Sequence, residues 1–486
     1  MDNQVYTQIP ASEPLPLCVD LDGTLVRTDT LFDTFITAAR KISTLVKIPF
    51  WLIQGKAKFK ANLAQEAGLD AALLPYNGPL LAYLHEQKSR GRYLVLATAA
   101  NQSIAHKVNQ HLRLFDEIIA SDETQNLRGE KKAEALAERF GTRGFDYIGN
   151  SRIDLSVWKY ASSGILVNVS DHVAKRAEEL VPIEKRFTDN RLQERDVLKA
   201  LRPHQWMKNM LVFIPIITAG AFIEPSAILN AVVLFAAFCC TASGIYIVND
   251  LYDLEADRQH PRKCQRPFAS GSLSLGLGFI LAPILIILGI AFAGALASAW
   301  TMPLILCYGL LSITYSVKLK ELPLVDVFTL AGLYTLRLFA GGEATGYHVS
   351  FWLLAFSGFI FLALAIVKRT SELSSLVMIG RQEATRRGYT TSDINILKMF
   401  GISSTFVSSL VVALYIHDQA AKAVYEFPHL LWFIVPLMLL WQCRIWLSTE
   451  RGYMQDDPIV YAGKDWVSWC IGILVMAVIV MAHIRW

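Results

Sequence analysis

The sequence contains no CxxC pair. Its seven cysteines, Cys18, Cys239, Cys240, Cys264, Cys307, Cys443 and Cys470, follow no regular spacing. That excludes a disulfide framework and a thiolate zinc site, and suits thiols in a reducing compartment. Charge is also scarce: 18% of residues are charged and the net charge is +4, too mild for a nucleic-acid partner. The first residues, MDNQVYTQIPASEPLPLCVDLDG, lack a basic segment leading into an apolar core. No cleavable signal peptide is expected, so the first domain is expected to stay in the cytoplasm. The apolar runs of the second half lack charge at their centres. A channel or exporter would carry polar groups there, whereas an enzyme working at the cytoplasmic membrane surface would not.

Hydrophobic residues make up 53% of the chain, and they are unevenly spread. Residues 1 to about 200 read as soluble protein. Beyond them, apolar runs near 209–223, 227–248, 276–296, 299–316, 324–341, 351–367, 396–416, 428–447 and 467–484 predict about nine membrane-spanning helices. The loops between them alternate in charge. One set carries Arg258, Arg262, Lys263 and Arg266, then Lys318 and Lys320, then Lys368, Arg369, Arg381, Arg386 and Arg387, then Arg444, Arg451 and Lys464. The other set carries Lys422 alone. The positive-inside rule places the basic set in the cytoplasm, with the protein multi-pass in the inner (plasma) membrane. Residues 183–208, charged with periodic Leu and Val, predict a linker helix that leads to the bilayer interface, with Trp206 at headgroup level.

The densest chemistry lies in NDLYDLEADRQHPRKCQR, residues 249–266. On a helix Asn249, Asp253 and Asp257 fall at i, i+4 and i+8, and Asp250 precedes Asp253 by three, so all four can share one face. Crowded carboxylates call for a cation, and hard oxygen ligands suit Mg²⁺ bound to a substrate diphosphate. Arg258, Arg262, Lys263 and Arg266 can hold phosphate oxygens.

An NDxxDxxxD pattern after an apolar run resembles the UbiA superfamily of intramembrane prenyltransferases, over about residues 198–486. LRPHQWMKN (201–209), RQHPRKCQRPFASG (258–271), YSVKLKELPLVDV (315–327) and KRTSEL (368–373) resemble one branch of it, the decaprenyl-phosphate phosphoribosyltransferases. The resemblance implies phosphoribosyl diphosphate as donor, a polyprenyl phosphate as acceptor and Mg²⁺ as cofactor. It brings Lys208, Asn209 and Tyr315 into the substrate site. Aromatic prenyltransferases carry a second aspartate-rich motif. Here the matching loop offers only Glu321 and Asp326 among Lys318, Lys320 and Arg337, which suits a lipid phosphate better than a phenol. The stretch RGYMQDDPIVYAGKD (451–465) is similar to the same branch and receives no role.

In the soluble half, LCVDLDGT (17–24) ends an apolar strand in a DxDGT signature and resembles the haloacid dehalogenase superfamily, over about residues 14–172. YLVLATAA ends a strand at Thr98, NLRGEKKAEAL places Lys132 at the head of a helix, and DYIGNSRIDL supplies Asn150 and Asp154. The resemblance implies Asp20 as nucleophile and Asp22 as acid and then base. It makes Thr98 and Lys132 phosphate holders, and Mg²⁺ a ligand of Asp20, Asp22, Asn150 and Asp154. Asn150 stands where an aspartate is common, which removes one negative charge from the metal site. Helical patterning between the first strand and Thr98 predicts a cap over about residues 30–92, and its run STLVKIPFWLIQG is amphipathic and aromatic, open either to the bilayer surface or to the cap's own core.

The expected architecture is therefore an α/β Rossmann-like domain with a helical cap (1–182), a linker (183–208) and an all-α polytopic membrane domain (209–486). The expected function is transfer of 5-phosphoribose to a polyprenyl phosphate, followed by removal of the 5-phosphate. Two alternatives stay open: prenyl transfer to an aromatic acceptor, and a phosphatase-like domain that regulates or anchors without catalysis. A homo-oligomer is compatible with the sequence.

Overall fold

Alternation along one short strand organises the first part of the molecule. In a computed structural model, β1 (Leu17–Val19) turns Leu17 and Val19 into one apolar layer and Cys18 into another, so the sheet is covered on both faces. The structure describes residues 14–122, 125–188, 194–221, 223–378, 387–454 and 457–483. They form two units, one running up to Ala200 and including Asp250–Ile280, the other made of Leu201–Asn249 and the chain from Leu281 onward.

In the first unit β1 is joined by β2 (Leu94–Asn101), β3 (Glu117–Ser121), β4 (Asp146–Gly149), β5 (Gly164–Val167) and β6 (Ile183–Phe187). Every pairing is parallel, in the order β3-β2-β1-β4-β5-β6. The order reverses at β1, and a crevice opens beyond the carboxyl ends of the strands at such a reversal. Three helices between β1 and β2 form the cap: α1 (Thr30–Ala39), α2 (Ile42–Ile53) and α3 (Lys56–Ala67). Asp29 caps α1 by accepting from the Leu31 amide. The cap is shorter than expected, because α4 (Gly78–Ser89) buries Leu80 and Leu84 in the core of the sheet. Val46, Phe50 and Ile53 share an exposed face of α2, while Trp51 packs against Ala38, Leu63 and Ala67, so the run read from the sequence is divided between cap core and an exposed apolar face.

The linker also differs from expectation. Ile183–Phe187 is an edge strand of the sheet, with Phe187 in the core, and among the described residues the helix that follows covers Glu194–Leu201. A charged middle between Ile183 and Phe187 suits an edge strand as well as a helix, and pairing with β5 decides between them.

Among the described residues, six helices are long and apolar enough to cross a membrane: Pro225–Tyr252, Leu275–Gly294, Phe351–Met378, the stretch Thr391–His417, Pro428–Glu450 and Trp466–His483. The other three expected spans fall short for separate reasons. Residues 209–223 fall partly in a 3-10 segment, Pro203–Phe213, and a short helix, Ile214–Thr218. Thr301–Val317 has 17 residues. Val325–Thr345 is long enough but carries Asp326, Arg337 and Glu343.

Close helix approach in the second unit depends on missing side chains. A Cβ on Gly289 would lie 2.2 Å from Thr241 Oγ1 and 2.7 Å from the Ala237 carbonyl oxygen, so Pro225–Tyr252 and Leu275–Gly294 meet nearly backbone to backbone. Gly289→Ala should therefore cost roughly 1–3 kcal/mol by overpacking. The expected result is a lower melting temperature of the detergent-solubilised protein, whereas Gly472→Ala, where an added Cβ meets nothing within 4 Å, should leave it unchanged.

Candidate functional site

The crevice at the end of β1 is a cavity of about 690 Å³. Asp20, Asp22, Lys132, Asn150 and Asp154 all line it. Lys132, in the first turn of α5 (Glu130–Phe140), donates to Asp20 Oδ1 at 2.6 Å and to the Tyr147 hydroxyl at 3.0 Å. Tyr147 in turn donates to Asp154 Oδ1 at 2.8 Å. The other oxygen of Asp154 accepts from the backbone amides of Asn150 and Ser151 and from the Ser151 hydroxyl. Asp154 thus holds the loop after β4 in shape, and its oxygens are largely committed to that task. Thr24 Oγ1 donates to Asp20 Oδ2 at 3.3 Å, and the Thr30 amide donates to Asp22 Oδ1 at 2.8 Å. Gly23, at φ +75°, leaves room for Asn150, whose Nδ2 would lie 2.1 Å from a Cβ there.

Electrostatics separate the two motif aspartates from ordinary carboxylates. Burial pushes Asp20 up to about 6, with Lys132 pulling the other way and Asp154 adding repulsion. Burial, then Asp29 and Asp20, push Asp22 up to about 7, where it can give or take a proton near neutrality. Burial opposes the Lys132 ammonium, but Asp20 and Asp154 outweigh it and its pKa rises. Two carboxyls raised in this way, Asp20 buried and Asp22 half-buried, are short of positive charge. With the Asn150 amide they offer oxygen donors of the kind Mg²⁺ takes, so the residues present fit that ion. Among the described residues no group of three acidic, His or Cys side chains is already gathered around a metal position.

Thr98 departs from expectation. It is fully buried, its Oγ1 accepts from the Ala100 amide at 2.9 Å, and the cavity wall at that strand end is Ala99, Ala100 and Asn101. Lys60, which the sequence reading missed, does line the cavity. It comes from α3 and donates to the Ala99 carbonyl at 2.9 Å and to Asn126 Oδ1 at 3.1 Å. Burial lowers its pKa against the pull of Asp22 and Asp29. A lone lysine in a helical cap gives no sequence signal of where it points.

The aspartate cluster is not one continuous helical face. The long helix ends at Tyr252, Asp253 turns the chain (φ −90°, ψ 12°), and a short helix resumes at Leu254–Gln259. Asp250 and Asp257 come together because Arg266 Nη1 donates to both, at 3.1 and 2.6 Å, and both aspartates are buried. Asn249 stands in the last turn of the long helix and Asp253 at the bend. Arg262 and Lys263 are exposed, their amides donating to His260 Nδ1 at 3.2 and 3.3 Å. Arg258 is turned elsewhere. Its Nη1 lies 2.7 Å from Asp33 Oδ1 of α1, both side chains buried, so it serves that ion pair rather than a phosphate. Arg40, the C-cap of α1, likewise meets Glu255 and the Tyr252 carbonyl.

In the second unit the expected cationic loop divides. Lys318 pairs with Glu321 at 3.1 Å on an exposed turn, Lys320 is half-buried, and the Tyr315 hydroxyl accepts from Arg387 at 3.4 Å. Asp326 is fully buried against Arg369 at 2.5 Å and Tyr389 at 2.6 Å, which makes it a structural partner rather than a substrate ligand. Arg337 lies apart from that loop, donating to Asn209 Oδ1 at 2.8 Å and the Tyr308 hydroxyl at 2.9 Å. Lys208 meets Asp457, a residue of the stretch left without a role, at 2.7 Å.

A model of the UbiA prenyltransferase family matches residues 212–461. An uncharacterized protein of Sinorhizobium fredii is 34% identical over 475 residues, which is 96% of this chain and 91% of that one. The decaprenyl-phosphate phosphoribosyltransferase of Corynebacterium glutamicum is 37% identical over 180 residues, 36% of this chain and 54% of that protein. Among solved structures, a UbiA homologue from Archaeoglobus fulgidus bound to GPP and Mg²⁺ aligns with a TM-score of 0.47 at 17% identity, over 59% of this chain and 99% of that one.

Removing Asp326 would take from the Arg369 guanidinium its fully buried carboxylate and leave it with Glu372, which is partly exposed. Asp326→Ala should cost about 3–5 kcal/mol of stability, read as a lower melting temperature in detergent. A substrate ligand would instead raise KM at unchanged stability.

Proposed function

The chain belongs to the UbiA prenyltransferase family, and on that premise we propose that it is a bifunctional membrane enzyme: its membrane half transfers 5-phosphoribose from phosphoribosyl diphosphate to a polyprenyl phosphate, and its N-terminal domain removes the 5-phosphate from the product. The observation that carries the transfer reading is Asp250 and Asp257 gathered on Arg266 in a buried turn, an acid pair held ready for a cation that accompanies a diphosphate. The identity with a decaprenyl-phosphate phosphoribosyltransferase supports this donor and acceptor.

In this reading the bond from the anomeric carbon to diphosphate breaks while one forms to an oxygen of the lipid phosphate. That oxygen is already an anion, so no strong base is needed. Mg²⁺, when bound, would supply charge neutralisation for the departing diphosphate. Asp250 and Asp257 would hold the ion, with Arg266 keeping them in place. In the N-terminal domain the Asp20 carboxylate, steered by Lys132, attacks phosphorus. Asp22 gives its proton to the leaving oxygen of ribose, then takes one from the water that hydrolyses the aspartyl phosphate. The basic loops support an orientation with both sites on the cytoplasmic face of the inner membrane.

The decisive assay incubates the purified full chain with labelled phosphoribosyl diphosphate, a polyprenyl phosphate and Mg²⁺ and resolves the lipid products. Consumption of a prenyl diphosphate with an aromatic acceptor, and not of phosphoribosyl diphosphate, would establish the prenyl-transfer reading instead. Asp250→Ala should abolish transfer while the protein still inserts and runs as a single species on gel filtration. Asp20→Asn should leave transfer intact and accumulate the 5-phosphorylated lipid, because an amide cannot form the aspartyl phosphate. If wild type releases no phosphate from this lipid, the N-terminal domain has another role.

A further inference from the structure

Five segments of the second unit bring a set of charges out of water. Lys208 comes from Pro203–Phe213, Arg337 and Tyr334 from Val325–Thr345, Lys368 from Phe351–Met378, Tyr308 from Thr301–Val317, and Asp457 precedes Pro458–Lys464. Lys208 Nζ and Lys368 Nζ both donate to Asp457 Oδ2, at 2.7 and 3.2 Å. Tyr334 donates to both Asp457 oxygens at 3.3 Å, and the Ile459 amide donates to Oδ1. The carboxylate is thereby saturated, and burial of Asp457 is outweighed by the two lysines, which hold its pKa well below the usual range.

Among the described residues Arg337 finds no carboxylate. Among the described residues its hydrogen bonds go to Asn209 Oδ1, the Leu333 carbonyl and the Tyr308 hydroxyl, all neutral, and its guanidinium carbon lies 4.6 Å from the centroid of the Tyr308 ring. Among the described residues three cations thus face one carboxylate, with Lys208, Arg337 and Asp457 buried and Lys368 half-buried. A buried excess of two positive charges is costly unless an anion completes it. A phosphate monoester, with a charge of about −1.5 to −2 near neutrality, matches the deficit. A magnesium-bound diphosphate would bring its own cation and would call for free carboxylates, which the described residues of this cluster do not offer.

We propose that Lys208, Lys368 and Arg337, aligned by Asp457 as positioning residue, form the seat for the phosphate monoester of the lipid acceptor. This rests on the transfer reading above for the identity of the acceptor, and it moves the acceptor's cations from Lys318 and Lys320 to a buried cluster. It also gives the stretch 451–465 a task.

Binding can be read without turnover. Farnesyl phosphate, a short lipid monophosphate, is titrated into the full chain in detergent without donor or Mg²⁺, and thermal stabilisation is followed with farnesol as the phosphate-free control. Wild type is stabilised by farnesyl phosphate and not by farnesol. Lys208→Gln and Arg337→Gln weaken this binding about tenfold or more, the loss expected for one hydrogen bond to a charged group. Lys208→Arg keeps most of it. Lys318→Gln, on the exposed turn, binds as wild type does. In turnover, Lys368→Gln raises KM for the lipid phosphate and leaves KM for phosphoribosyl diphosphate unchanged.

Asp457 has its own readout. Burial sets Lys208 at about 8, with Asp457 raising it and Lys368 and Arg337 lowering it, while the Tyr334 ring lies beside it. Binding should fade as pH rises through that value, and Asp457→Asn should move the midpoint lower. Binding that survives Lys208→Gln and Arg337→Gln in folded protein, an unmoved midpoint in Asp457→Asn, or a change confined to the donor KM overturns the assignment. If the seat binds farnesyl phosphate as described but no ribosylated lipid forms, the seat stands and the transfer reading fails.

Discussion

A carboxylate removed from water must be matched by a cation, and this requirement recurs at every chemically active point of the chain. Asp20 is matched by Lys132, Asp33 by Arg258, Asp250 and Asp257 by Arg266, Asp326 by Arg369, and Asp457 by Lys208 and Lys368. Each pairing fixes two segments against each other, because an isolated buried charge costs more than most packing rearrangements. Specific geometry follows from that cost. Arg266 can serve two aspartates only if the helix breaks between them, and the chain does break at Asp253.

The same rule separates groups that are spent from groups that remain available. Asp326 and Arg258 are each matched within the fold, by Arg369 and by Asp33, and so are taken up by structure. Asp20 and Asp22 are matched incompletely, and their raised pKa values register the shortfall. The cluster around Asp457 errs in the opposite sense, with cations to spare. Unbalanced burial of either sign marks where a ligand belongs, and balanced burial marks where the fold is being held.

What could be read from the sequence follows from how local the signals are. The DxDGT turn is decided within a few residues of its strand, and Lys132 sits at a helix start, so both were found by pattern. The acid cluster was also visible, but its helical periodicity suggested one face where the chain bends instead. Pairings over long separations had no such signal. Asp326 and Arg369 are 43 positions apart, and Lys208 and Asp457 are 249 apart, so nothing in either neighbourhood announces the other. The edge strand Ile183–Phe187 was missed for the same reason, because only pairing with β5 makes it a strand.

The helix α1 touches two chemistries at once. Its first residue gives its amide to Asp22, while Asp33 further along and the C-cap Arg40 hold Arg258 and Glu255. The border between the parts of this chain therefore does not coincide with any single cut along its length. A fragment ending at Ala200 would carry Asp33 without its arginine and Arg40 without its glutamate, and a fragment starting there would leave Arg258 without its aspartate. Mutual dependence here is written into charge rather than into the connecting peptide.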